Sequence, residues 1–119
     1  MTFRPERVDK PWGHELIWAR THRYVGKLLK VNAGESLSLQ YHERKDETLH
    51  LLEGEIRFLF GESRESVAPL TLRAGDSIHV PPGTIHRMEA LTDAVFLEVS
   101  TPELDDVVRL EDRYGRVEG

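Results

Sequence analysis

The chain contains no cysteine in its 119 residues, which excludes disulfide frameworks, thiolate zinc sites and cysteine nucleophiles. It has no apolar run near the roughly 20 residues that a membrane-spanning helix needs. The N-terminal residues, 1–7, lack the apolar core of a signal peptide. These absences predict a soluble protein of the cytoplasm that has no membrane partner.

Positive charge is also scarce, with 16 Lys and Arg against 21 Asp and Glu and a formal net charge of −5. A chain without a basic stripe cannot neutralise a run of phosphates, so we expect no nucleic-acid partner. An anionic small molecule is compatible with this charge if a local cluster of Lys and Arg surrounds it. The composition therefore favours a small-molecule substrate.

Long helical patterns are missing as well, and short apolar runs alternate with turns rich in Gly, Pro and Asn. Many short strands with regular turns are typical of all-β sandwiches and barrels. The length suits a single domain, 1–119. The tail after Thr101 is compatible with either one helical turn or an edge strand. The apolar runs are 15–20, 24–31, 37–41, 48–52, 56–60, 70–72, 78–80 and 94–99, and the turn signals are 32–34, 53–55, 61–63, 74–76 and 81–83.

Segment 36–42 alternates strictly between polar and apolar residues, which predicts a strand with two different faces. The polar face either meets solvent or lines a barrel interior where a metal or ligand binds. The apolar face either packs inside one subunit or forms a contact between copies, and we expect a homodimer. The apolar face consists of Leu37, Leu39 and Tyr41, and the polar face of Ser36, Ser38, Gln40 and His42.

Two spaced motifs hold the residues that can carry chemistry. The first runs from Gly34 through Gln40-Tyr41-His42 and Glu47 to Gly54, and the second from Gly75 through Pro81-Pro82-Gly83 to His86. Gln40 and His42 are two residues apart on one strand and therefore point to the same side. Glu47 and His86 each begin a later strand that can return to that side. Two imidazoles, a carboxylate and an amide oxygen suit one divalent ion of Zn, Mn, Fe, Co or Ni.

These motifs resemble the paired motifs of the cupin superfamily, in which a double-stranded β-helix of jelly-roll type forms a small barrel. Eight of the ten motif positions of that family match. The departures are Gln40, where the general pattern has His, and Ala90, where it has Asn. The resemblance implies an all-β jelly-roll barrel with a metal site inside.

A narrower resemblance, from Lys10 to Arg116, is to the type II phosphomannose isomerases. The matching segments are Lys10-Pro11-Trp12-Gly13-His14-Glu15, Leu37-Ser38-Leu39-Gln40-Tyr41-His42, His86-Arg87 and 106–116. This resemblance places the metal ligands at Gln40, His42, Glu47 and His86. The Arg-x-Glu-His-Trp signature of that family corresponds here to Lys45-Asp46-Glu47-Thr48-Leu49, which keeps a cation and the Glu but has neither the His nor the Trp.

The resemblance implies a metal-dependent isomerase that interconverts aldose and ketose hexose phosphates, of the mannose-6-phosphate isomerase type. Lys27, Arg87 and Arg109 match cations of the family and are the expected substrate-phosphate contacts, although strand alternation turns Arg87 away from His86. The general base is unassigned, with Lys45 one candidate.

Two further functions stay open at this point. His42, Glu47 and His86 also form the two-histidine, one-carboxylate set of non-haem Fe(II) dioxygenases. A metal-containing module that binds sugars without catalysis is the third possibility. The length leaves no room for a nucleotidyltransferase domain, so we expect the isomerase domain alone.

Overall fold

The structure, a computed structural model, describes residues 1–116 and builds them almost entirely from β-strands. No helix in this range is long and apolar enough to cross a membrane. The prediction of an all-β protein is confirmed. The strands are β1 Glu6–Lys10, β2 Gly13–Arg20, β3 Val25–Val31, β4 Leu39–Tyr41, β5 Glu47–Glu53, β6 Glu55–Gly61, β7 Ala68–Arg73, β8 Ser77–Val80, β9 Ile85–Ala90, β10 Ala94–Ser100 and β11 Val108–Glu111, with one 3₁₀ turn at Arg64–Ser66.

The strands form two antiparallel sheets. The six-stranded sheet has the order β1-β2-β3-β10-β5-β8, and the five-stranded sheet has the order β11-β4-β9-β6-β7. The first motif is thereby divided, because Gln40 lies in the smaller sheet and Glu47 begins a strand of the larger one. β9 lies beside β4 and brings His86 directly opposite Gln40.

One hydrophobic core joins the inner faces of the two sheets. Phe96 contributes from the larger sheet and Phe58 from the smaller one, and both side chains are fully buried. Alternation along β10 sends Ala94 and Phe96 inward and leaves Val99 exposed. The core is continuous with a cavity, since Phe96 also lines that cavity.

The turns fall where the glycines predict them. Gly34, Gly54, Gly75 and Gly83 all have positive φ, between 83° and 99°. At Gly54 the constraint is doubled, because an added Cβ would lie 2.3 Å from the backbone oxygen of Asp93. Only glycine fits there without displacing the chain.

Segment 36–42 departs from the predicted strict alternation. The regular strand covers only Leu39–Tyr41, and Leu37 turns to pack against the core and to line the cavity. Leu39 is buried. The predicted apolar face is therefore interrupted and gives no support to a contact between copies, so the homodimer stays a prediction.

The tail after Thr101 forms an edge strand, β11, which pairs with β4. Three exposed apolar side chains lie on the outer face of the larger sheet, where they alternate with buried neighbours. They are Trp18, Leu52 and Val99.

Candidate metal centre

His42, Glu47 and His86 converge on one point inside the barrel. Glu47 Oε1 lies 3.6 Å from His42 Nε2 and 3.3 Å from His86 Nε2. One ligand atom from each residue lies within 4.8 Å of the others, and all three residues are buried. The three strands that the sequence predicted to meet here do meet.

The other ring nitrogens show how the two histidines are oriented. His42 Nδ1 donates to the backbone oxygen of Asp106 at 2.5 Å, and His86 Nδ1 donates to that of Thr84 at 2.9 Å. A carbonyl can only accept, so Nδ1 carries a proton in each ring and Nε2 is the nitrogen that faces Glu47. Hydrogen bonds of this kind, made by the ring nitrogen that faces away from the ion, orient metal-binding histidines in proteins.

This donor set fits a divalent metal ion. Two imidazole nitrogens and a carboxylate oxygen face one another, and this arrangement needs a cation between its members, either protons on the rings or a metal ion. Nitrogen and carboxylate ligands suit the borderline ions from Mn²⁺ to Zn²⁺. Three protein ligands also leave coordination positions open.

Lys45 balances the charge of Glu47 from the opposite side. Its Nζ lies 3.0 Å from Glu47 Oε2 and 3.3 Å from Glu98 Oε2. Burial alone raises the pKa of the Glu47 carboxyl, but the two histidine rings and the Lys45 charge outweigh burial and hold that pKa well below its usual value. Glu47 is therefore ionised and ready to act as a ligand.

Gln40 lies beside the three residues without making a measured contact with them. It is directly opposite His86 across β4 and β9, and its side chain lines the same cavity. Opposite residues of an antiparallel pair share a face of the sheet. Gln40 as the fourth ligand stays a prediction.

Asp106 anchors the loop between His42 and Glu47. Its carboxylate accepts three backbone N–H groups, from Glu43 at 3.0 Å, Arg44 at 2.7 Å and Lys45 at 2.8 Å. These hydrogen bonds lower the pKa of Asp106 to about 2. The family resemblance includes Asp106 in the segment 106–116, but the sequence did not indicate this role, since the partners of Asp106 lie more than sixty positions away along the chain.

The predicted substrate cations occupy three different environments. Lys27 lines the cavity, but its Nζ lies 3.4 Å from the buried carboxylate of Glu15, so it is already paired. Arg109 lines the cavity opposite Gln40, and its buried Nε has no hydrogen-bond partner within residues 1–116. The substrate-binding roles of Lys27 and Arg109 stay predictions.

Arg87 is placed outside the cavity, which corrects its assignment as a phosphate contact. Because His86 points inward, strand alternation turns the next side chain outward. The Arg87 guanidinium donates to the backbone oxygens of Leu37 and Glu111, each at 3.2 Å. It ties the smaller sheet together instead of facing the metal centre.

Two cavity carboxylates were missed in the sequence. Glu15 on β2 and Glu98 on β10 are both buried and both line the cavity. For Glu98 a signal existed, because it continues the inward-facing positions of Ala94 and Phe96 along β10. A charged residue in a core-facing register costs free energy unless it is paired or has a function.

Comparison with known proteins identifies the fold family. The model of the family described as "Cupin domain" matches residues 27–100. The solved structure of KdgF from a Halomonas species aligns with a TM-score of 0.73 at 22% identity, covering 84% of this chain and 90% of that one. Oxalate decarboxylase from Bacillus subtilis aligns with a TM-score of 0.79 at 16% identity, covering 91% of this chain and 31% of that one. Both likenesses support the predicted jelly-roll barrel.

Curated relatives match over nearly the whole chain. Mannose-1-phosphate guanylyltransferase ManC of Salmonella typhimurium is 36% identical over 116 residues, which is 92% of this chain and 23% of that protein. Xanthan biosynthesis protein XanB of Xanthomonas campestris is 30% identical over 115 residues, 92% of this chain and 24% of that protein. The chain thus spans about a quarter of the length of these relatives. The family match, the paired motifs and the two facing sheets together show that this chain belongs to the cupin family.

Proposed function

We propose that the protein is a metal-dependent isomerase that interconverts an aldose and a ketose hexose phosphate. The observation that carries this proposal is the placement of Arg109 in the same cavity as the three converging residues His42, Glu47 and His86. The guanidinium of Arg109 would bind the phosphate at one end of the sugar. A metal ion held by the three converging residues would bind the sugar oxygens at the other end.

Anion binding is supported by the charge of the cavity wall. Arg109 presents a planar donor that suits phosphate, and its Nε donates no hydrogen bond to any group within the described chain. The curated relatives supply a second line of support, since the name of the Salmonella protein contains a sugar phosphate. The resemblance to type II phosphomannose isomerases points to the same substrate class and makes mannose 6-phosphate the first compound to test.

The residues that would hold the metal are His42, Glu47 and His86, with Gln40 as the predicted fourth ligand. A bound divalent ion supplies Lewis-acid polarisation of the substrate oxygens next to the carbons that exchange a proton. Burial lowers the pKa of Lys45, but the carboxylates of Glu98 and Glu47 outweigh burial and raise it. Lys45 is therefore better suited to donate to a substrate oxygen or to the carboxylates than to act as the general base.

Leu49 marks a difference between this cavity and the signature of the type II phosphomannose isomerases. It occupies the signature position of the family Trp, is buried, and lines the cavity. Thr48 occupies the position of the family His and does not line the cavity. A smaller apolar side chain at position 49 changes the shape of the wall while the ligand positions stay the same. The hexose accepted here therefore depends on what fits against Leu49.

A dioxygenase is the second candidate, because two histidines and one carboxylate also suit Fe(II) with positions open for O₂. Against it stands the highly charged wall, in which three lysines and two arginines line the cavity together with three carboxylates. Such a wall matches a polyhydroxylated anion better than an apolar oxidisable substrate.

The test uses the chain loaded separately with Zn²⁺, Mn²⁺, Fe²⁺, Co²⁺ and Ni²⁺. Mannose 6-phosphate, other aldohexose phosphates and the matching free hexoses are supplied, and NMR follows aldose and ketose while an electrode follows O₂. Metal-dependent conversion of a phosphorylated hexose supports the proposal. O₂ consumption instead supports a dioxygenase, and tight sugar binding without turnover supports a binding module.

A further inference from the structure

Glu98 is a buried carboxylate that the metal site does not use. It lies on β10, directly opposite Lys27 on β3, and its side chain lines the cavity. It is only 7% exposed, and within residues 1–116 its one ion pair is with Lys45. A buried ionisable group that packing does not require is frequently functional.

The other cavity carboxylates already have charged or polar partners. Glu47 faces the two histidines, and Glu15 pairs with Lys27 at 3.4 Å. Lys45 contacts Glu47 at 3.0 Å and Glu98 at 3.3 Å, so one ammonium group joins the metal site to Glu98. Glu98 is thereby held next to the metal site without being part of the converging trio.

We propose that Glu98 is the catalytic residue that moves the proton between C2 and C1 of the sugar, which rests on the proposed isomerase function. Its carboxylate removes the proton from C2 of the open-chain aldose. The electrons of the broken C2–H bond form the C1–C2 double bond, and the carbonyl electrons move to O1.

The second half of the reaction restores the base. The C2–O bond becomes the carbonyl, the electrons of the double bond return to C1, and Glu98 delivers its proton to C1. O1 gains one proton and O2 loses one, so the reaction balances without an oxidant, a reductant or another co-reactant.

The surroundings of Glu98 suit this role. Burial and the charge of Glu47 raise the pKa of Glu98, and Lys45 and Lys27 partly oppose that rise. A carboxylate with a raised pKa is a stronger base than an exposed one and is better suited to accept and then return a proton. The groups facing it are Lys27, Lys45 and, beyond the lysine, Glu47.

The experiment compares Glu98→Gln with Glu89→Gln, whose carboxylate lies 3.4 Å from Arg57 outside the cavity. Each metal-loaded variant receives mannose 6-phosphate in D₂O, and NMR measures both turnover and deuterium at C1 and C2. Metal content and the binding of mannitol 6-phosphate, which cannot isomerise, are measured in parallel.

For Glu98→Gln we expect kcat and deuterium incorporation to fall together by about 10²- to 10⁴-fold, the usual contribution of a general base. Metal content and mannitol 6-phosphate affinity should match those of Glu89→Gln. Glu98→Asp keeps a carboxylate and should recover part of the rate, which gives a second readout if the amide variant folds poorly. The Lys45–Glu47 pair remains in both variants.

The outcomes separate the two proposals. If the unmodified chain isomerises sugar phosphates and Glu98→Gln does so equally fast, the base assignment is overturned and the isomerase stands. If Glu98→Gln loses mannitol 6-phosphate binding in proportion to its rate, Glu98 binds substrate and the base assignment is again overturned. If the unmodified chain isomerises none of the sugar phosphates, the proposed function falls and the role of Glu98 falls with it.

Discussion

Gln40 on β4 and His86 on β9 lie directly opposite each other, although 46 positions separate them along the chain. Arg109 on β11 is the partner of Gln40 on the other side, so a row of three residues crosses the smaller sheet. Residues directly opposite in an antiparallel pair share one face. The row places a cation, an amide and an imidazole along one wall of the cavity.

Metal binding is the first prediction that follows. Chain purified without chelator should carry about one divalent ion, and the double variant His42→Ala/His86→Ala should carry none. Elemental analysis by mass spectrometry measures the content. His79→Ala is the matched control, because that exposed histidine pairs with Asp46 away from the cavity. Full occupancy of the double variant would refute the assignment.

Metal affinity should also fall in acid, since protons compete with the ion for two imidazoles and a carboxylate. Titration with a competing chelator at several pH values measures the effect. An affinity that does not change between pH 8 and pH 5 would contradict histidine ligation at this centre.

Arg109 should recognise phosphate. Arg109→Ala should lower kcat/KM for a phosphorylated hexose by roughly ten- to a hundredfold, the equivalent of a charge-assisted hydrogen bond of about 1.5–3 kcal/mol. The free hexose should lose much less, and Arg87→Ala should leave both values unchanged. Lys27→Ala should lower stability, because it leaves Glu15 buried without its partner. Equal losses on both sugars in Arg109→Ala would show that this cation does not recognise phosphate.

Gly54 should tolerate alanine much less well than Gly34. Both have positive φ, which costs an alanine about 1–2 kcal/mol. Only Gly54 adds a clash, with the Asp93 oxygen, for which we expect about 1–3 kcal/mol more. Urea unfolding of Gly54→Ala and Gly34→Ala measures the difference, and equal losses would contradict the close approach at Gly54.

Asp106 should make stability depend on pH in acid. Its pKa is about 2 in the folded chain, below the ordinary 3.8, so the ionised form favours folding. The contribution is complete above pH 3.8 and is lost as the pH falls towards 2. Asp106→Asn should therefore be less stable than the unmodified chain at pH 7, and the gap should narrow at pH 2–3. Denaturant unfolding at both pH values tests this, with Asp105→Asn as the control.

The homodimer is tested by light scattering at micromolar concentration. A dimer has twice the 13.7 kDa mass of one chain. A mass of 13.7 kDa would contradict the dimer.

Local signals allowed most of the barrel to be predicted, because glycine turns and strand alternation depend on neighbouring residues. The same alternation predicted that His42 and His86 point inward. Alternation did not predict the position of Leu37, because the chain turns before β4 and the Leu37 side chain packs against the core. The family resemblance suggested Arg87 as a substrate contact, whereas its strand position turns it outward.

Contacts between distant strands could not be predicted from local patterns. The pairing of Lys27 with Glu15 depends on the register of β2 and β3, which short-range periodicity does not determine. Glu98 shows the same limit, since its neighbour Lys45 belongs to a loop more than fifty positions earlier. The family resemblance predicted the ligand positions. The charged residues around them became apparent only from the packing of distant strands.

The position of Asp106 affects the order in which parts of the candidate site form during synthesis. Its carbonyl holds the ring of His42 across 64 positions of sequence, and its carboxylate holds the backbone that leads to Glu47. Closing so long a loop costs conformational entropy, which only later packing repays. During synthesis, the ring of His42 lacks its hydrogen bond to the Asp106 carbonyl until residue 106 has left the ribosome. The described orientation of the His42 ring and of the backbone before Glu47 is therefore completed only after residue 106 has been synthesised.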